Sequence, residues 1–292
     1  MQDKLSQNFS GLIMADLLES SQPSDWRPLD PENTLYVEME SGRVVIELTP
    51  DFAPHHVSNI KALAREKYWD GLAVIRVNDN YVVQLADPNA ENPDKKRKIK
   101  SAKETLAAEF DRMINSELPF NVLPDRDVYS SSVGFTNGFP VARDEKEGRT
   151  WLVHTYGTVS AGRDTDIDSG SGSELTAVIG HGPRQLDRNV TVVGRVRQGM
   201  ELLSSLPRGD GNLGFYKEPE PALSIKSVRL ASDVAENEQT HLEVLRTDTP
   251  LFSQLIEARR NRQEEWFHRP AGRIDIGNVP VPVRVTQGYP AQ

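Results

Sequence analysis

"GLAVIRVNDNYVVQLADP" runs from Gly71 to Pro88. Its alternating apolar residues predict two short strands, about Leu72 to Val77 and Tyr81 to Ala86, joined by the polar turn Asn78-Asp79-Asn80. Two residues stand out from that pattern. Arg76 lies inside the first strand and Gln84 near the end of the second. The default reading of such residues is a solvent-facing charge and a loop hydrogen-bonder. The sequence on either side decides whether they do more.

Upstream, "TLYVEMESGRVVIELTP" alternates Leu35, Val37 and Met39 with Tyr36, Glu38 and Glu40, turns at Ser41-Gly42, and returns through Val44, Ile46 and Leu48. This is a hairpin with one buried face. "APHHVSNIKALAREKYWDG" follows, with Val57, Ile60, Leu63 and Ala64 at helical spacing, Pro54 in the first turn and Gly71 at the end. Downstream, strand signals recur in "WLVHTYGTVSAG", "ELTAVIG", "VTVVGRV" and, after a helical "QGMELLSSLP", in "LSIKSVRLAS". The expected fold is mainly β: an eight-stranded antiparallel barrel capped by two helices, with a helical and loop insertion and a C-terminal helical extension.

Residues 1–32 read as an N-terminal arm and linker. Leu12, Ile13, Leu17 and Leu18 fall on one side of an amphipathic helix, and "SSQPSDWRPLDPEN" is proline-rich. Residues 33–231 form the barrel domain, interrupted by a polar insertion over 89–150. That insertion shows little strand character; a helical patch, "SAKETLAAEFDRMINSE", precedes loops rich in Pro, Gly and Ser. Residues 232–292 are an extension with a helix from Thr249 to Phe267 and an extended tail, "VPVPVRV". The simplest expectation docks that helix on the barrel.

Composition narrows the functional classes. Of 292 residues, 26% are charged and 37% hydrophobic, and the net charge is −9. That charge argues against sequence-independent nucleic-acid binding, which needs excess Lys and Arg to displace counterions. The basic "DKKRKIKSAK" is local and reads as a solvated segment. The chain has no cysteine, which excludes disulfides, thiolate zinc sites and cysteine nucleophiles. The six histidines show no HExxH spacing. "DTDIDSGSGSE" has carboxylates at alternate positions, as calcium loops do, but Ser169 and Leu175 occupy places where an EF-hand needs Gly and Glu. It reads as an acidic loop. No phosphate loop, dinucleotide fingerprint or GxSxG elbow is present, and no apolar run approaches the ~20 residues that span a bilayer. No metal, cofactor, nucleic-acid partner or membrane span is expected.

The blocks "YWDGLAVIRVNDNYVVQLADP", "YGTVSAGRD", "GSELTAVIG" and "LDRNVTVVGRVRQGMELL", in that order, resemble the cyclophilins, a family of peptidyl-prolyl isomerases. The resemblance covers roughly Asn33 to Ala231 and includes the Arg-Val and Gln-x-x-Asp-Pro landmarks at Arg76-Val77 and Gln84 to Pro88. The long insertion and C-terminal extension look like a bacterial subgroup of larger, often exported members. The resemblance implies prolyl isomerisation in protein folding and proline-containing polypeptides as partners; the sequence does not give the oligomeric state, and a monomer is the expectation. It also implies a periplasmic location, with Met1 joined to a mature N-terminus; a natural cytoplasmic start is the alternative.

The resemblance assigns roles residue by residue. Arg76 would supply the cation at the prolyl nitrogen. Gln84 would bond the substrate backbone and orient the arginine. Tyr81, Val82 and Leu186 would line the proline pocket, with Gly162, Glu174, Thr176 and Val190 as further substrate-binding positions. Departures are several. Val74-Ile75 replace Phe-His, Glu174-Leu175-Thr176 replace Gln-Phe-Phe, and Ala161-Gly162-Arg163 replace Met-Ala-Asn. Gln185 and Val190 stand where the pocket has a tryptophan and a histidine. Thr176 thus takes the place of a buried aromatic wall. The expectation is an isomerase of reduced activity; the alternative is a non-catalytic peptide-binding or chaperone module. Phe135, Phe139 and Trp151 either replace the missing rings or pack the insertion's own small core. Cyclosporin binding, which uses the same pocket, is not expected.

Overall fold

The computed structural model describes residues 13–218, 223–286 and 288–289. The chain forms two compact units. The first is built from Leu29–Arg112 and Trp151–Thr240. The second gathers the segment ending at Pro28, Met113–Thr150 and the chain from His241 onward. The arm, the distal part of the insertion and the extension therefore belong to one unit, although sequence separates them into three appendages.

The first unit contains eight strands: β1 (Thr34–Met39), β2 (Gly42–Leu48), β3 (Ala73–Val77), β4 (Val82–Ala86), β5 (Thr158–Ala161), β6 (Leu175–Val178), β7 (Val192–Gln198) and β8 (Ile225–Leu230). They pair antiparallel in the order β8-β1-β2-β7-β5-β6-β4-β3. The two ends of that order meet. Gly71 N donates to Ile225 O and Ile225 N to Leu72 O, each at 2.8 Å, and Ala73 bridges Ser224. The expected barrel is thereby nearly closed, and further along β3 Tyr216 N donates to Ile75 O. At the β1–β2 turn Gly42 has φ +136°, a conformation that side-chain-bearing residues rarely adopt.

Alternation decides what fills the barrel. Leu35, Val37 and Met39 face Val44, Ile46 and Leu48 in one apolar cluster with Val83, Leu85, Val159, Ala161, Leu175 and Ala177. The helix Pro54–Arg65 adds Val57, Ile60, Leu63 and Ala64, and the helix Met200–Ser204 adds Leu203. These side chains each contribute ~1.5–3 kcal/mol of burial where they are large.

The predicted helix over "SAKETLAAEFDRMINSE" does not form. Its backbone donors go to side chains outside the segment: Ser101 N to Glu66, Lys103 N to Asn59 Oδ1, and Glu109 N to Thr191 Oγ1. An extended run bonded to its surroundings leaves no intrahelical ladder. In return, the Glu109 carboxylate accepts from the amides of His55 and His56, the open N-terminus of the helix Pro54–Arg65.

The second unit corrects the reading of the rest of the insertion. Ser132–Thr136 and Phe139–Asp144 pair antiparallel, and Asn121–Val122 pairs with the first of them, within a five-stranded sheet. The presumed linker is also structured. Trp26–Pro28 pairs with Leu242–Leu245, which pairs with Val283–Val285 of the tail. The C-terminal helix spans Pro250–Arg260 and stops short of Phe267; the Asn261 amide and side chain both donate to the Glu257 carbonyl at its end. It packs on the insertion strand rather than as foreseen: Phe252 meets Phe135 edge-on at 5.0 Å, and Arg260 pairs with Asp125 at 2.7 Å. Of the N-terminal helix, Met14–Glu19 is helical with Leu17 buried; Leu12 lies outside the described residues.

Candidate active site

A simple strand cannot bury both Val74 and Val77 while pointing Arg76 outward. β3 does so through a bulge. Val74 pairs with Leu85, but Arg76 pairs with Gln84 and Val77 with Val83, so Ile75 is the extra residue. Val74 and Val77 enter the core and Arg76 stands beside Gln84 on the outer face. Bulges commonly re-aim a side chain in this way. On the other side of Gln84, β6 places Thr176 in register, with Leu175 and Ala177 facing inward.

The Arg76 guanidinium is held at two points. Its Nε donates to Leu213 O at 2.7 Å and its Nη1 to Gln84 Oε1 at 3.3 Å. The rings of Phe215 and Tyr81 lie 5.1 and 5.5 Å from it. Among the described residues it makes no ion pair. Burial holds its pKa below the ordinary arginine value, against the pull of Tyr81 and Glu174. Gln84 is 6% exposed, and its Nε2 donates to Glu174 Oε1. Arg76, Gln84 and Glu174 therefore form one hydrogen-bonded line. Burial, with the charge of Asp164 next, pushes the Glu174 carboxyl up to about 6.

This line borders a cleft of about 910 Å³. Every site residue singled out in the sequence lines it: Arg76, Gln84, Tyr81, Val82, Gly162, Glu174, Thr176, Leu186 and Val190. Exposed Gln185 is not among the lining residues, and neither are Phe135, Phe139 and Trp151. Phe135 and Phe139 are buried in the second unit, and Trp151 lies 5.0 Å under the Arg188 guanidinium. They do not replace the missing aromatic wall. The Thr176 hydroxyl turns to Ser160 O at 3.4 Å.

Three contributions escaped the sequence. The loop around Leu213, at φ +54°, aims its carbonyl at Arg76 and brings Phe215 over the guanidinium. The only trace was a glycine-rich stretch, "GDGNLGFYK". Buried His154 bonds Asp187 Oδ1 at 3.0 Å and Ser160 Oγ at 3.1 Å, and Arg184 holds Asp187 at 2.7 Å. That network fixes the turn carrying Leu186. Asp164 and Glu91 border the cleft and act on Glu174. Their partner was unforeseeable without the fold. Among the described residues no group of three or more His, Asp or Glu side chains is placed to hold a metal ion.

The sequence profile of the family described as "Cyclophilin type peptidyl-prolyl cis-trans isomerase/CLD" matches residues 34–230. The chain belongs to this cyclophilin family. Two proteins named "Probable peptidyl-prolyl cis-trans isomerase", from Brucella suis biovar 1 and Brucella melitensis biotype 1, are each 29% identical over 192 residues, 65% of this chain and 80% of theirs. The crystal structure of cyclophilin AquaCyp293 from Hirschia baltica is similar with a TM-score of 0.71 and 26% identity, covering 94% of this chain and 99% of that one. That cyclophilin match extends past the barrel into the flanking segments.

Proposed function

We propose that the chain catalyses cis–trans isomerisation of X-Pro bonds in polypeptides, in support of protein folding. The observation that carries this reading is the Arg76 guanidinium, half-buried, without an ion pair among the described residues, and tethered by Leu213 O and Gln84 at the cleft.

Amide resonance sets a barrier of ~18–20 kcal/mol to rotation about the prolyl bond. No covalent bond need break. As the amide twists, its nitrogen becomes pyramidal and basic. A cation already in place at that nitrogen favours the twisted state over either planar isomer. Arg76 is suited to this because its charge is fixed and, among the described residues, no carboxylate is paired with it. The ring of the proline would sit against Tyr81, Val82, Leu186 and Val190, which offer the apolar surface it needs.

Thr176 supports the finer claim of reduced activity. A hydroxyl-bearing side chain where an aromatic wall would stand forfeits apolar contact with the ring. The same observation favours a second reading, a module that holds extended proline-containing chains without turning them over. NMR of a short Ala-Pro peptide separates the two. Isomerisation predicts exchange between cis and trans signals on adding protein. Holding predicts shift changes with no accelerated exchange.

A further inference from the structure

Arg76 has only donors to offer, so Gln84 must present its oxygen to it. Its NH2 end must then point the other way, and Glu174 lies there. An ionised carboxylate is acceptor-only. It suits that amide orientation and opposes the flipped one, which would set oxygen against oxygen at Glu174 and donor against donor at Arg76.

We propose that the Glu174 carboxylate is a positioning residue for the isomerase, locking the Gln84 amide with its oxygen on Arg76, and that the site works when Glu174 is ionised. The inference rests on the reading of Arg76 and Gln84 as the isomerising pair. The Gln-Phe-Phe motif that Glu174-Leu175-Thr176 resembles has a glutamine here, so this chain carries a titratable group in its place.

Two further features of the structure fit. Gly162 packs directly on the Glu174 side chain; a Cβ there would lie 2.8 Å from both Cγ and Cδ. The glycine makes room for the carboxyl to reach Gln84. The charged and titratable surroundings come from four segments: Arg76 from β3, Glu91 after β4, Asp164 after β5, and Tyr68 after the helix Pro54–Arg65. Of these, only Arg76 favours the ionised form. Burial, Asp164 and Glu91 oppose it. The Glu174 carboxyl is consequently pushed up to about 6 instead of staying ionised throughout. A protonated carboxyl offers an O–H as well as an acceptor, so Glu174 no longer opposes the flipped amide and Arg76 alone holds the orientation.

The test is the exchange rate of an Ala-Pro peptide, read by NMR between about pH 5 and 8. For the wild type, kcat/KM should fall roughly tenfold on acidification, with a midpoint near the carboxyl value of about 6. Glu174→Gln should lose that acid limb. Glu174→Ala should be slow across the whole range, with the Gln variant recovering most of the loss. A flat wild-type profile, a rate that rises on acidification, or an acid limb that survives in Glu174→Gln would overturn the proposal. If the wild type accelerates exchange at no pH, the isomerase reading itself fails. The Gln84 side-chain amide signals then still decide the positioning. They should titrate near the same midpoint in the wild type and not in Glu174→Gln, and their failure to move overturns it.

Discussion

Gly162 meets both the backbone and the side chain of Glu174. The Gly162 amide donates to the Glu174 carbonyl at 2.8 Å, and the Gly162 α-carbon leaves no space for a methyl beside the Glu174 side chain. A side-chain end yields more readily than a strand. Gly162→Ala should therefore keep the barrel folded and turn the carboxyl away from Gln84. The loss expected in kcat/KM is about tenfold, the size of one charge-assisted hydrogen bond. Peptide exchange and the Gln84 side-chain NMR signals check it together. Full activity with an unmoved Gln84 signal would count against the account.

The same carboxyl should cost the fold stability near neutral pH. Its folded value of about 6 lies above the ordinary 4.5, so folding favours the protonated form. That stabilisation is complete below the unfolded value and disappears as pH rises through about 6. Glu174→Gln should accordingly be more stable than wild type at about pH 7.5, by roughly 1–2 kcal/mol after allowing for partial solvent access. Near pH 4 the two should converge. Urea denaturation at both pH values reads the difference.

Glu109 should show the opposite sign. Burial raises its pKa, but bonds from the His56 ring and from the His55 and His56 amides outweigh that and hold it below the ordinary value. Its contribution is present above the unfolded carboxylate range and is lost as pH falls through the folded value. Glu109→Gln should lower stability by about 1 kcal/mol near neutral pH, with a smaller difference in acid. Matched urea midpoints for variant and wild type at neutral pH would contradict this.

Thr176 sits on the outer face, paired with Gln84 and Ser160, while Leu175 and Ala177 point into the core. A larger side chain here would enter the cleft and leave the core undisturbed. Thr176→Phe should lower KM for an Ala-Pro peptide several-fold, from about 1–2 kcal/mol of added apolar contact, with kcat little changed. A KM that stays put or rises would show that the proline ring does not bind against this position.

The barrel was legible because one face of each strand is buried, so Leu35, Val37 and Met39 or Val44, Ile46 and Leu48 announce themselves by alternation. The site was legible only by resemblance. Strict alternation puts Val74 and Arg76 on the same face; the bulge at Ile75 separates them, and nothing in "AVIRV" marks it. Strands at Ser132–Thr136 and Phe139–Asp144 pair with each other across Asn137-Gly138, a hairpin signal overlooked among the loop-forming residues around it, while their packing partners are distant. Gly138 N bonds Thr247 Oγ1 and Phe135 meets Phe252, contacts that no local window contains. The same applies to Leu213, which bonds a guanidinium 137 positions away.

The central claim is that Arg76 stabilises a twisted prolyl amide. Its most direct test is the cis-to-trans exchange rate of an Ala-Pro peptide with wild type beside Arg76→Ala and Arg76→Lys. The account predicts acceleration by wild type, a loss of two or more orders of magnitude in Arg76→Ala, and poor rescue by lysine, which cannot bond Leu213 O and Gln84 as the planar guanidinium does. Equal acceleration by wild type and Arg76→Ala, with peptide binding intact in both, would contradict it.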